Sequence, residues 1–324
     1  MHRSHLVLSL CTLAAASGWL NAQDTRLAGP VSGIVYHAPS RAVRPILGIP
    51  GAAYLGGDLL AGLDFAALSP DGRSAIAVKD GALYAVTGIS TGEAVWTRLE
   101  SSVGEANRAA WSPGSKAVAV YSSTSRRLEF WSFGDSVEAR AASDLSELAG
   151  TLTALCIEDS AARAFVALES ETEGGVYVVP AGTPARLLAR AARPSAIAIA
   201  SGGSLFFADR ATSEIFELSD SGDVRLFANE ARGVIDPIAI ALSPDRLALI
   251  TASRTGRNIT IFDIASRALK GRLDLDFEPS RVEPFSRSLY LLNEARASEP
   301  LRVLDAEREP AVYFIPAGPA ASEE

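Results

Sequence analysis

Small apolar residues alternate along short stretches of this chain, and three of those stretches end in the same Ser-Pro turn. They read Ala66-Ala67-Leu68-Ser69-Pro70-Asp71-Gly72, Ala109-Ala110-Trp111-Ser112-Pro113-Gly114 and Ala239-Ile240-Ala241-Leu242-Ser243-Pro244-Asp245. Looser copies occupy 155–159 and 198–203. The turns begin at positions 69, 112, 157, 200 and 243, a spacing of 43, 45, 43 and 43 residues, and a degenerate sixth copy falls near Phe285. Self-similarity at a fixed period of this size marks a repeat architecture. Within the fifth unit the alternation predicts four strands, at 238–242, 247–251, 258–264 and 269–273, separated by turns of Ser, Pro, Asp, Gly and Arg. No unit holds a sustained 3.6-residue apolar period, which disfavours helical repeats of similar length.

The first strand of each unit is nearly all small and apolar, so it is expected to be buried on both faces, whereas later strands mix polar residues into their alternation. That gradient predicts an inner strand and an outer edge. A four-stranded unit of this length, repeated, is the pattern of a β-propeller: an all-β ring of four-stranded antiparallel blades around a channel. Residues 36–42 align with 262–268, so 31–50 read as the third and fourth strands of a unit without its first two. Seven blades are expected, one of them incomplete and formed with this N-terminal half-unit; six is the alternative, because only six inner strands are counted. A ring leaves no flat edge exposed, so strands from the two chain ends are expected to seal it.

The stretch Ile250-Thr251-Ala252-Ser253-Arg254-Thr255-Gly256-Arg257-Asn258-Ile259-Thr260-Ile261-Phe262-Asp263 resembles the repeat of bacterial YVTN-type propellers, in which an apolar strand, a polar turn and a second strand ending in Asp recur. Residues 207–218 form a poorer copy. The name-giving tetrapeptide is absent, the remaining units match only in strand rhythm, and the Trp-Asp and Gly-His marks of WD40 repeats are missing. The resemblance implies a seven-bladed ring exported to the cell envelope or beyond, in a superfamily that mixes surface proteins, binding platforms and enzymes.

Export is also expected from the N-terminus. Arg3, an apolar stretch from Leu6 to Leu20 and small residues up to Ala22 have the layout of a secretory signal peptide. The expected division is a leader at 1–22, a single propeller domain at 23–318 and a disordered tail at 319–324. The mature protein is then secreted or periplasmic. Later apolar runs are broken by Gly, Ser, Pro or charge, so no membrane insertion is expected. Thirty basic residues against 38 acidic ones, the basic ones mostly isolated arginines, argue against nucleic acid. With the leader gone Cys156 is alone and no internal disulfide is possible; in its apolar run it reads as a small buried hydrophobe.

Candidate chemistry is sparse. His37 would be the one remaining histidine, and the half-repeat places it where other units carry Asp263 or Asp305, as a strand-end turn residue. Zinc, copper and haem sites built on several His, Cys or Met ligands are thereby disfavoured. A divalent ion such as calcium needs only oxygens, and Asp64, Glu105, Asn107, Asp236 and Glu283, beside the inner strands, are candidates to converge at one mouth of the ring. Asp274 and Asp276, two apart among leucines, read as the wet face of an outer strand. Asn258-Ile259-Thr260 matches a glycosylation acceptor but lies in a predicted strand. No catalytic, cofactor-binding or metal-ligating set is assigned, and no cofactor is expected. The leading reading is a non-enzymatic platform for a protein or polysaccharide partner. The alternatives are a lactonase- or esterase-type hydrolase with a divalent ion in the channel, and a structural module of a surface or envelope assembly.

Overall fold

A computed structural model describes residues 30–171, 174–307 and 309–316; the expected leader and C-terminal tail lie outside them. Seven antiparallel sheets follow one another along the chain. Blade 1 holds β1 (Val31–His37), β2 (Ala42–Ile49) and β3 (Ala52–Leu55). Blade 2 holds β4 (Phe65–Leu68), β5 (Ser74–Lys79), β6 (Ala82–Thr87) and β7 (Val95–Arg98). Blade 3 holds β8 (Arg108–Trp111), β9 (Ala117–Ser122), β10 (Arg127–Phe133) and β11 (Val137–Asp144). Blade 4 holds β12 (Thr151–Ile157), β13 (Arg163–Glu169), β14 (Gly175–Pro180) and β15 (Arg186–Arg190). Blade 5 holds β16 (Pro194–Ile199), β17 (Leu205–Asp209), β18 (Glu214–Leu218) and β19 (Val224–Ala228). Blade 6 holds β20 (Pro237–Leu242), β21 (Ala248–Ser253), β22 (Asn258–Asp263) and β23 (Leu269–Asp274). Blade 7 holds β24 (Glu283–Ser286), β25 (Leu289–Leu291), β26 (Leu301–Asp305) and β27 (Ala311–Ile315). The chain is therefore a seven-bladed β-propeller in which blade 1 shows three strands among the described residues, and the repeat period falls on the six strands β4, β8, β12, β16, β20 and β24.

The Ser-Pro signature is turn chemistry. Ser69 Oγ donates to Asp71 Oδ1 (2.6 Å) and accepts from Ser74 N (3.0 Å), while Asp71 Oδ1 also accepts from Arg73 N (3.1 Å). Ser243 repeats this with Asp245 (2.5 Å) and Ala248 N (2.9 Å). Ser112 accepts from Lys116 N and Ala117 N. In each turn the serine hydroxyl thus satisfies backbone donors that the reversal leaves without strand partners. These turns lie on one face of the ring, here the turn face. The hairpins between second and third strands and the blade-to-blade linkers form the opposite, linker face.

Alternation within the blades builds the core. In β5, Ala75 and Ala77 pack toward blade 1 and Ile76 and Val78 toward blade 3; in β17, Leu205 and Phe207 face blade 4 and Phe206 and Ala208 face blade 6. Every pair of neighbouring blades shares one such cluster, seven in all, and the last, with Val35, Ile46, Phe285, Leu291 and Val303, joins blade 7 to blade 1.

Two expectations are corrected. The first strands are only partly buried, because one side of each lines the channel; the strands buried throughout are the second ones, β9, β17, β21 and β25 among them. The N-terminal unit also differs from its alignment. Its loop His37-Ala38-Pro39-Ser40-Arg41-Ala42 has the geometry of the second-to-third hairpins that end in Arg126, Ser213 and Arg257, each with four loop residues and a left-handed last residue (φ 50° at Arg41, then 52°, 56° and 45°). Leu63 N bonds Arg41 O just as Leu145 N bonds Arg126 O and Leu275 N bonds Arg257 O. β1, β2 and β3 are thus second, third and fourth strands. Among the described residues no sheet combines strands from both chain ends; closure is face to face, through side chains.

Candidate functional site

The residues singled out as possible ion ligands do not come together. Asp64 pairs with Arg41, Asp236 with Arg210 (2.6 Å) and Glu283 with Arg281 (2.5 Å). Asn107 Nδ2 donates to Ser123 Oγ (2.5 Å), and Glu105 is exposed. Each pairing lies at its own blade junction. Among the described residues no three His, Cys, Asp or Glu side chains form a group that could hold a metal ion.

Polar atoms along the inner strands stitch blade to blade. Arg108 Nη1 donates to Thr153 O (3.0 Å), Thr153 Oγ1 to Pro194 O (2.6 Å), and Ser195 Oγ to Pro237 O (2.6 Å). Trp111 Nε1 donates to Ala67 O (3.0 Å) and Tyr290 Oη to Leu242 O (3.1 Å).

His37 caps its hairpin, at the position that Ser122, Asp209 and Ser253 hold elsewhere rather than that of Asp263. Its Nδ1 lies 2.8 Å from Ser40 Oγ and accepts from Ser40 N (3.3 Å). Burial, followed by the nearby Arg44, lowers its pKa below the ordinary value of 6.5. Cys156 is half-buried rather than buried as its apolar run led one to expect, and desolvation raises the pKa of its thiol. Asp274 is exposed and pairs with Arg272 (2.9 Å), with Asp276 exposed beyond it, as the wet-face reading expects. Asn258 is fully buried, which closes it to glycosylation in the folded chain.

A cleft of about 1040 Å³ that was not singled out from the sequence lies between blades 4 and 5 on the linker face. Its cause is a linker length. Only three residues, 191–193, join β15 to β16, whereas the other linkers have six to nine, so this junction carries the least covering chain. The inner wall is Thr151 and Thr153 on β12, the floor includes the Phe216 ring stacked on Phe207 (5.1 Å), and Arg190 stands at the outer end. Arg193 Nε meets Glu169 Oε1 at 2.9 Å, and Glu171 lies beside them. Asp209, only 3% exposed, fixes the short linker by accepting from Ala192 N (2.9 Å), Arg193 N (3.1 Å) and Ala211 N (2.9 Å). Hydroxyls, carboxylates, guanidinium groups and one aromatic face therefore converge on rigid strand ends, a set suited to hydrogen-bonded capture of a polar chain. The one sequence signal for it was the short interval between Arg190 and Pro194. A smaller cleft of about 460 Å³ lies between blades 6 and 7 on the turn face; its Asp245 and Asp263 carboxyls are held below their ordinary range chiefly by hydrogen bonds from Ser243 and Ser266.

No protein-family profile and no curated protein matches the sequence. Solved propellers do match the fold. Virginiamycin B lyase from Staphylococcus aureus aligns at 13% identity and a TM-score of 0.56, over 77% of this chain and 83% of that one. The catalytically inactive histidine-to-alanine variant of that lyase, with quinupristin, aligns at 14% and 0.50, over 80% and 85%. The propeller domain of Cps50 (Swd1) from Myceliophteria thermophila aligns at 10% and 0.59, over 80% and 86%. Identities this low show a common fold.

Proposed function

We propose that this chain is an exported, non-enzymatic propeller whose linker face binds a protein segment or a polysaccharide, with the cleft between blades 4 and 5 as the contact. The convergence of Thr151, Thr153, Glu169, Arg190, Arg193 and Phe216 on one unroofed junction supports the reading. A rigid frame with seven side-chain cores suits a platform, because little ordering entropy is lost on binding. The export half rests on the sequence of the leader, and among the described residues no helix is long and apolar enough to cross a membrane.

An enzymatic reading draws support from no specific observation. The lyase neighbour is inactive as a histidine-to-alanine variant, whereas His37 here holds a hairpin in blade 1. The hydrolase reading needs convergent oxygen ligands, and three of its candidates are bound to arginines. Affinity capture from native envelope, together with a glycan array, tests the platform. The unaltered protein recovers a specific partner, and Arg193→Ala with Phe216→Ala weakens that binding by about 10-fold or more, as loss of anchors in a desolvated contact does. Equal binding by the double variant sinks the cleft assignment. Fractionation that finds the protein in the cytoplasm with its N-terminus intact sinks the export.

A further inference from the structure

Four polar side chains in blade 6 are fully buried: Thr251 and Ser253 on β21, Asn258 and Thr260 on β22. The register sets Thr251 opposite Thr260 and Ser253 opposite Asn258. By strand alternation they share the face of Leu249 and Phe262, which is packed toward blade 5. The linker 229–236 lies over that face. Val234 is fully buried in the same cluster, and Gly233 approaches so closely that a Cβ there would sit 3.3 Å from Thr260 Cγ2.

Part of this polar group is satisfied. Ile235 N donates to Ser253 Oγ (3.1 Å), and Asn258 Nδ2 donates to Gly256 O (3.3 Å). Thr251 Oγ1, Thr260 Oγ1 and Asn258 Oδ1, by contrast, are buried with no hydrogen-bond partner among the described residues. A buried oxygen without a partner forfeits its hydration, and three side by side in one blade are a large uncompensated cost. We infer that blade 6 binds an ordered internal water between β21, β22 and the 229–236 linker, held by the Thr251 and Thr260 hydroxyls and the Asn258 side-chain carbonyl.

The geometry suits that ligand. Side chains directly opposite on antiparallel strands have Cβ atoms about 4.5–5.5 Å apart, a gap that one water spans with two hydrogen bonds. A buried water typically makes about three such bonds, and three oxygens are on offer. A bare cation fits poorly, because the set is neutral and a hard ion takes about six or more oxygens. The water gives a physical role to the polar residues of the stretch that carries the family resemblance: it joins β21 to β22 beneath the linker, which Ile235 N holds directly through Ser253 Oγ.

A crystal structure of the exported protein at high resolution, with the melting temperature of Thr251→Val, Thr260→Val and the double variant, tests the inference. The expected density is one water within about 2.7–3.2 Å of at least two of the three oxygens. Each single variant, isosteric but with one bond fewer to the water, melts about 2–4 °C lower, and the double variant lower still, because Asn258 then loses its bridge. A site without density, a metal ion there, or a double variant at least as stable as the parent overturns it; the last outcome is what apolar replacement in a dry site produces.

Discussion

His37 titrates inside a hairpin cap, where its Nδ1 accepts from Ser40 N (3.3 Å) and meets Ser40 Oγ at 2.8 Å. Burial and Arg44 act in the same direction, lowering the folded-state pKa below its ordinary 6.5. The unfolded chain then binds this proton more readily than the folded one. Stability is fully present above about pH 6.5 and declines as pH falls through that value toward the lower folded-state pKa. Chemical denaturation at pH 7.5 and 5.5 measures it: the parent loses stability on acidification, and His37→Gln, which keeps an acceptor without titrating, loses less. An equal loss in both would place the sensitive group elsewhere. Asp144, Asp245 and Asp263, whose carboxyls are held low by turn hydrogen bonds, act in a separate window: their contribution holds above their ordinary 3.8 and fades as pH falls below it.

At the scale of the element, strands were legible wherever one turn type recurred. The predicted strands at 238–242 and 269–273 lie within β20 and β23, because Ser243-Pro244-Asp245 can close only a tight reversal and alternation fixes what flanks it. The N-terminal unit was misassigned for a physical reason. Second-to-third and third-to-fourth turns both end near a left-handed arginine, Arg257 (φ 45°) in one and Arg267 (φ 59°) in the other, so Ser40-Arg41 resembles either. Loop length separates them: four residues lie between His37 and Ala42, five between Asp263 and Leu269. The cleft was hidden because it depends on a linker too short to cover a junction, and its lining comes from two blades. The turn itself makes a firm prediction. Ser243→Ala removes the hydroxyl that accepts from Ala248 N and donates to Asp245, and should cost about 1–2 kcal/mol. Ser266→Ala, at an exposed turn, should cost less; urea denaturation of both variants compares them, and the reverse order would remove the Ser-Pro turn from its place in stabilising the repeat.

For the whole molecule, the decisive junction is the one where the chain ends meet. Six blade junctions are bridged by a covalent linker, and the seventh, between blades 7 and 1, is held by side chains alone among the described residues. A close approach there is Gly33 against Phe285: a Cβ on Gly33 would lie 2.7 Å from Phe285 Cε2 and 3.2 Å from Ser286 Cβ. The φ of Gly33 is not positive, so space rather than backbone conformation requires glycine there. Gly33→Ala should therefore cost about 1–3 kcal/mol by overpacking. Phe285→Leu, which removes ring atoms from a residue 9% exposed, destabilises by itself, yet it opens the room the new methyl needs. The two changes together should then cost less than the sum of their separate costs, with a coupling of about 1 kcal/mol or more in a double-mutant cycle. Additive costs would mean that Gly33 and Phe285 do not meet in solution and that the ring is closed by some other contact. Because each blade shares its two faces with its neighbours, loosening this junction exposes both terminal blades at once, so the single variants should lower one cooperative unfolding transition rather than split off a separate early step.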